Sequence, residues 1–336
     1  MRVAQVAAAG EPFELVEADP PTPGPGQVRI AVDACGICRS DAGFVQASFP
    51  HVTFPLVTGH EIAGRVDALG PGVSGWRPGE RVEVGWFGGH CGHCRPCRQG
   101  DFILCTALQV PGWAYPGGFA DAVVVPVSAL ARIPDELSAT EAAPLGCAGV
   151  TVFNALRRSA ARPGDLVAVL GVGGLGHLGV QYAAALGYDT VAIARGEDKR
   201  ELALTLGARH YVNSSAGTVA DALRDLGGAR VVLATAASAD AMSATIDGLA
   251  PRGELIVLGA SPQSLTVSPT QLISGARSIH GHPSGTSQDV QDTLDFTARG
   301  RVRPMVETAP LDQVNDAFQR MLSGAARFRM VLTMNT

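Results

Sequence analysis

Between residues 166 and 258, short apolar runs alternate with Ala/Leu-rich stretches, and this rhythm limits the possible folds more than any other feature. The runs are LVAVL (166–170), TVAIA (190–194), RVVLA (230–234) and ELIVL (254–258). Each contains at least four consecutive apolar residues, as expected of strands covered on both faces, and the segments between them read as helices. Strands alternating with helices build a parallel sheet wound on both sides. Directly after the first run the chain passes through GVGGLG. This places Gly171, Gly173 and Gly176 in G-x-G-x-x-G spacing, with Gly174 and Leu175 inside the loop. Between a strand and a helix, the first glycine permits a tight turn and the second lets the backbone approach a pyrophosphate. The third lets the helix lie close to the sheet.

The expected unit is therefore a Rossmann-type, doubly wound dinucleotide-binding domain over residues 149–280. Such a unit usually carries an acidic residue about 20 positions after the glycines, at the end of the second strand, for the ribose of NAD. Here that position holds Ala194, followed by Arg195 and Gly196, with Glu197 and Asp198 expected in the next helix. A neutral residue beside an arginine suits a 2′-phosphate, so NADP is favoured over NAD. The alternative is a solvated Arg195 with Glu197 reaching the ribose.

Residues 1–148 differ in texture. They are rich in Gly and Pro, with short runs QVRIAV (27–32), EIAGRV (61–66), RVEVGW (81–86) and FADAVVV (119–125) between turn signals, which predicts a compact β domain. A helix over 287–300, another near 313–322 and a strand-like FRMVLTM (328–334) close the chain.

Four of the seven cysteines crowd into GGHCGHCRPCRQGDFILC as Cys91, Cys94, Cys97 and Cys105, spaced C-x2-C-x2-C-x7-C. The start of the chain lacks the apolar core of a signal peptide and no apolar run approaches the ~20 residues of a membrane span, so a cytoplasmic protein is expected. Thiols stay reduced in that compartment, so the cluster points to metal or redox chemistry rather than disulfides. Four thiolates in one loop can close a tetrahedral shell around zinc and leave no open position, the pattern of a structural site. A redox-active C-x-x-C is the alternative. His90 and His93 read as loop residues.

Cys38 (ACGICRSD), His60 (VTGHEIAG) and Cys147 (APLGCAGVTVFNAL) are ambiguous singly. Together they form a Cys₂His set that leaves zinc's fourth position free. The net charge of −5, without a Lys/Arg block, argues against nucleic-acid or anionic-membrane partners.

With these residues assembled, the chain resembles the zinc-containing alcohol dehydrogenases of the medium-chain dehydrogenase/reductase superfamily over nearly its whole length. The matching segments are GICRSD, GHEIAGRV, CGHCRPCRQGDFILC, PLGCAGVTVFNAL, GVGGLG and the terminal FRMVL. The resemblance implies an α/β protein with a GroES-like β catalytic domain, 1–148 with a C-terminal return over 281–336, and the Rossmann domain inserted. It implies two zinc ions per chain. Cys38, His60 and Cys147 would hold the catalytic one, and Cys91, Cys94, Cys97 and Cys105 the structural one. Glu61 matches a residue that approaches the metal during ligand exchange, Asp41 the carboxylate that orients the histidine, and Ser40 the hydroxyl that takes the substrate proton. Arg39 and Arg329 match residues that grip the coenzyme pyrophosphate, and Thr151 and Leu175 positions beside the nicotinamide. Trp86 and Phe87 fall where the family lines its substrate pocket, or else pack in the core. Cys35 matches no ligand and reads as a small buried hydrophobe.

The family's proton relay often ends at a histidine where this chain has Gly43; His51 is nearby in sequence. The implied reaction moves a hydride between a primary or secondary alcohol, or the aldehyde or ketone in reverse, and a nicotinamide, in a homodimer or homotetramer. A polyol dehydrogenase or a zinc-free quinone or enoyl reductase shares the fold. The former usually has a carboxylate at the place of Cys147, and the latter needs neither cysteine set. A zinc-ribbon interaction module would leave the Cys₂His set unexplained.

Overall fold

The computed structural model describes residues 1–300 and 302–334. Of the expected C-terminal return, Arg301, Asn335 and Thr336 lie outside the described residues. The chain divides into two compact units. One comprises Met1–Val150, Ser284–Arg299 and Arg303–Thr336; the other comprises Thr151–Pro283 and Gly300–Val302.

The first unit is built on a seven-stranded sheet. Its path runs Val306–Pro310, Arg329–Thr333, Gln27–Ile37, Ile62–Leu69, Arg81–Val84 and Ala131–Arg132, and Ala122–Pro126 also pairs with Gln27–Ile37. The long central strand explains the unit. Val28, Ile30, Val32 and Ala34 point inward in alternation, and from Ala34 to Ile37 every residue is buried. Alternation therefore gives way to complete burial as the strand approaches Cys38. Leu332 and Val331 of the last strand pair with Cys35 and Gly36, which brings Arg329 near Ile37. The core collects Ile30, Val66, Val82, Phe119, Val125 and Leu332. Cys35 is fully buried there, and burial raises its thiol pKa well above the ordinary value.

The second unit is a six-stranded sheet in which every pair is parallel. From one edge the strands are His210–Asn213, Asp189–Ala194, Leu166–Leu170, Ala229–Ala234, Leu249–Val257 and Ser278–Gly281. In chain order this is 3-2-1-4-5-6, the Rossmann order, whose switch point lies between Leu166–Leu170 and Ala229–Ala234. All five residues of LVAVL are buried, as a central parallel strand requires. The two edge strands were not among the apolar runs. Each has four residues, and only Tyr211 of the eight is buried, so neither needs an apolar sequence. Glu197 and Asp198 also differ from expectation: the helix begins at Arg200, and both precede it. Gly196 turns there at φ +71, and the Glu197 carboxylate accepts hydrogen bonds from Arg200 and Asn213. Among the described residues no helix is long and apolar enough to cross a membrane.

Candidate active site, metal centres and cofactor cavity

Three elements of the first unit bring the Cys₂His set together. Cys38 follows the central strand and precedes the helix Arg39–Val45, His60 precedes the strand Ile62–Leu69, and Cys147 follows the short helical turn Ala143–Gly146. The Cys38 and Cys147 sulfurs are 3.8 Å apart. That is far beyond a disulfide bond of ~2.05 Å. It matches the ~3.8 Å separation of two thiolates on a tetrahedral zinc with Zn–S bonds of ~2.3 Å. One donor atom each from Cys38, His60, Glu61 and Cys147 lies within 4.8 Å of the others.

His60 is fully buried, with Nδ1 3.2 Å from Asp41 Oδ1 and no hydrogen-bond partner at Nε2. A buried, unpartnered imidazole nitrogen is costly unless something outside the polypeptide satisfies it. A zinc ion fits this donor set. Thiolate character at Cys38 favours it too. Hydrogen bonding from the Cys147 thiol, against the cost of burial, holds Cys38 well below the usual thiol range. Burial pulls His60 down, but the Asp41 carboxylate and Cys38 outweigh it and hold the metal-free ring well above its ordinary pKa, so a zinc ion binding at Nε2 would displace a proton from it.

Asp41 is fully buried and accepts the Cys38 backbone N–H at 2.7 Å. Ser40 is half-buried, its hydroxyl 3.8 Å from the Cys38 sulfur. Glu61 pairs with Arg329, whose guanidinium also donates to the Ile37 carbonyl. Burial, opposed by Arg329, pushes the Glu61 carboxyl up to about 7. Gly36 makes room for it, since a Cβ there would lie 2.0 Å from Glu61 Oε2. Arg39 is exposed and donates to the Leu322 carbonyl at 3.3 Å. Thr151, half-buried, lies on the helix Ala148–Arg158 in the second unit.

The donor atoms of Cys91, Cys94, Cys97 and Cys105 also lie within 4.8 Å of one another. Cys94 and Cys105 sulfurs are 3.8 Å apart, and all seven cysteines are free thiols. Backbone N–H groups of Cys91 and Ala107 point at the Cys105 sulfur at 3.3 Å, an arrangement that suits thiolate rather than thiol. His90 is a neighbour of this cluster: its ring lies between Phe87 and Phe102, with Nδ1 3.8 Å from the Cys97 sulfur.

Trp86 and Phe87 part company. Trp86 meets the His60 ring edge-on at 5.1 Å, whereas the Phe87 ring stacks on His90 beside the four cysteines. Sequence reasoning missed the rest of the apolar wall. Phe44 stacks between Trp86 and Trp113, and Phe49 packs edge-on against both Phe44 and Trp113. The Phe49 ring fills the space over Gly43, where a Cβ would lie 2.6 Å from it. His51 is exposed, on a left-handed turn at φ 61. An aromatic every few residues in GFVQASFP was the available signal.

In the second unit a cavity of about 630 Å³ opens at the switch point. Gly171, Gly173, Gly174, Leu175, Ala194 and Arg195 line it, together with Lys199, Ser214 and Thr235 through Ser238. Its size and position suit a dinucleotide. The glycines divide their work as their contacts require. A Cβ on Gly176 would lie 1.8 Å from the Gly171 carbonyl oxygen, whereas one on Gly173 would meet no protein atom within 4 Å. Gly176→Ala should therefore cost about 3 kcal/mol of stability. Gly173→Ala should leave the melting temperature unchanged but weaken cofactor binding more than about ten-fold in a nicotinamide-fluorescence titration. Lys199, whose ammonium donates to the Val172 carbonyl at 2.8 Å, and Ser214 were not foreseen, because nothing in the sequence marks them as neighbours of Ala194.

Comparison with known proteins agrees with this geometry. Residues 24–135 match the alcohol dehydrogenase GroES-like domain and residues 174–299 the zinc-binding dehydrogenase domain. The chain is 41% identical over 326 residues to alcohol dehydrogenase notN of Aspergillus sp. (strain MF297-2), covering 97% of this chain and 96% of the relative. It is 36% identical over 337 residues to an alcohol dehydrogenase of Geobacillus stearothermophilus, with both chains fully covered. The solved alcohol dehydrogenase of the hyperthermophilic archaeon Aeropyrum pernix superposes with a TM-score of 0.90 at 28% identity, covering 99% of this chain and all of that one. A GroES-like unit carrying a Cys₂His set, a Rossmann unit with a cofactor-sized cavity, and full-length relatives named alcohol dehydrogenases converge: the chain belongs to the zinc-type alcohol dehydrogenases of the medium-chain dehydrogenase/reductase superfamily.

Proposed function

We propose that the protein is a zinc-dependent, NADP-preferring dehydrogenase of primary or secondary alcohols bearing an apolar group, carrying two zinc ions per chain. The observation that carries the zinc reading is the buried, unpartnered Nε2 of His60 aimed among two cysteine sulfurs and a carboxylate. Cys38, His60 and Cys147 would hold the catalytic ion, and Cys91, Cys94, Cys97 and Cys105 the structural one. When bound, zinc supplies Lewis acidity toward an alcohol or carbonyl oxygen, and the nicotinamide accepts or donates the hydride.

The chain's own residues do the rest. Asp41 keeps the proton on His60 Nδ1, leaving Nε2 as the donor atom. Ser40, beside Cys38, is the hydroxyl in reach to accept the substrate proton. Glu61, held by Arg329, keeps a carboxyl poised near neutrality next to the donor set. The rings of Trp86, Phe44, Phe49 and Trp113 supply an apolar wall beside His60. They favour a substrate with an apolar substituent over a polyol.

The NADP preference rests on the cavity wall near Ala194. Arg195, Lys199 and Ser214 line it, no carboxylate does, and Glu197 is engaged with Arg200 and Asn213. Ala194→Asp should invert the preference, raising the KM for NADPH about ten-fold or more and lowering that for NADH. The direct test is a panel of alcohols and aldehydes assayed with each coenzyme, together with metal analysis. Turnover of aliphatic or aromatic alcohols with two zinc per chain supports the reading. A metal-free active protein, or one that turns over only quinones or enoyl compounds, overturns it.

A further inference from the structure

Asp41 faces more than His60. Its Oδ1 accepts the Thr58 hydroxyl at 2.7 Å and the Gly59 backbone N–H at 3.2 Å, and meets His60 Nδ1 at 3.2 Å. Its Oδ2 accepts the Cys38 backbone N–H at 2.7 Å. Thr58 is fully buried, and its backbone is clamped. Its carbonyl accepts the Phe119 N–H at 3.0 Å. Gly112 and Gly117 press so close that a Cβ on either would lie 2.8 Å from the Thr58 Cα or 2.6 Å from its carbonyl carbon. With the backbone held, only side-chain torsions of Thr58 remain, and its hydroxyl donates to Asp41.

We infer that Thr58 is a positioning residue for the catalytic metal centre, acting through Asp41. The inference rests on the reading that Cys38, His60 and Cys147 hold zinc. A carboxylate can swing about its terminal torsion, which is broad and shallow. Here Thr58 and Gly59 fix Oδ1 from one side and the Cys38 N–H fixes Oδ2. The plane of the carboxylate is therefore set before a metal arrives, and the direction left open on Oδ1 is the one His60 occupies. That locks the ring with its proton on Nδ1 and its lone pair on Nε2. Outer partners of metal-bound histidines typically govern metal affinity by 10- to 100-fold.

Thr58→Val keeps the shape and deletes the hydroxyl, whereas Thr58→Ser keeps the hydroxyl and trims a methyl. Each variant is loaded with zinc, and metal release to a chromophoric chelator is followed, with the four-cysteine zinc as internal control. A parallel sample carries cobalt in the catalytic site for absorption spectroscopy. In Thr58→Val, one of the two metals should leave about ten-fold faster and the cobalt bands should shift, while the other metal leaves at the parent rate. Thr58→Ser should behave as the parent in both readouts. If the valine variant does not fold, Thr58→Ala should show the same acceleration. Parent-like release and spectrum in the valine or alanine variant would overturn the assignment. So would a serine variant as impaired as valine. A parent protein that takes up metal only at the four cysteines would overturn both this inference and the zinc reading beneath it.

Discussion

Replacing His60 with alanine, or Cys147 with serine, should lower kcat/KM by about a thousand-fold or more while leaving circular dichroism and cofactor affinity intact. The size follows from what the centre contributes. A metal acting as Lewis acid supplies several kcal/mol of transition-state stabilisation, and each ~1.4 kcal/mol is a factor of ten. Cofactor affinity should survive because the glycine loop and its cavity belong to residues of the second unit. Survival of the fold follows from the burial pattern around the site. The backbone around His60 is held by hydrogen bonds that do not involve the imidazole, Phe119 N–H to the Thr58 carbonyl, Gly118 N–H to the Gly59 carbonyl and Gly36 N–H to the Glu61 carbonyl. Steady-state kinetics and zinc content check the prediction together: turnover and one zinc per chain should vanish in step. Rates near those of the parent in either variant would remove these residues from the reaction.

The second large effect belongs to the four-cysteine lobe. Cys94→Ser should lower the thermal midpoint by about 10 °C or more and remove the other zinc, since a four-thiolate site contributes folding free energy directly. The lobe has little else to hold it. Between Cys91 and Cys105 its only regular structure is the four-residue helix Arg95–Arg98 and the 3-10 turn Phe102–Leu104, and Leu104 is 54% exposed. Ile103 and the ring stack around His90 are its main apolar anchors. Calorimetry with zinc counting distinguishes the outcomes: an unchanged midpoint with full zinc content would mean the cysteines hold no structural ion.

Much of this was legible in the sequence because the chemistry demands residue types at fixed spacings. GVGGLG after LVAVL specifies a turn, a close approach and a tight helix contact; the structure accounts for Gly171 by its φ of +95 and for Gly176 by the Gly171 carbonyl, and leaves open space over Gly173. Cys91 through Cys105 are local, so spacing alone brings them together. The Cys₂His set is different. Its members come from residues 38, 60 and 147, and only the assembled sheet brings their donor atoms together; resemblance to a family, not periodicity, pointed to them. What stayed hidden depends on packing between distant segments. Thr58, Phe49 and Lys199 are ordinary residues until the fold sets them beside Asp41, Gly43 and Val172. Phe87 shows the converse: adjacent to Trp86 in sequence, it stacks on His90 beside the four cysteines, while Trp86 meets His60.

The pairing of Arg329–Thr333 with the strand that ends at Cys38 has a consequence for how the molecule is made. During translation, Cys38, His60 and Cys147 emerge early, but the sheet that frames them lacks its closing partner until residues 329–333 leave the ribosome. Until then the edge of Gln27–Ile37 at Ala34–Ile37 stays open, and Glu61 has no guanidinium to answer it. The residues of the parallel sheet, by contrast, run from 166 to 281 without interruption and can pair as they are synthesised. All six strands of the parallel sheet are therefore available for pairing before the first unit's sheet can gain Arg329–Thr333 and Glu61 its guanidinium.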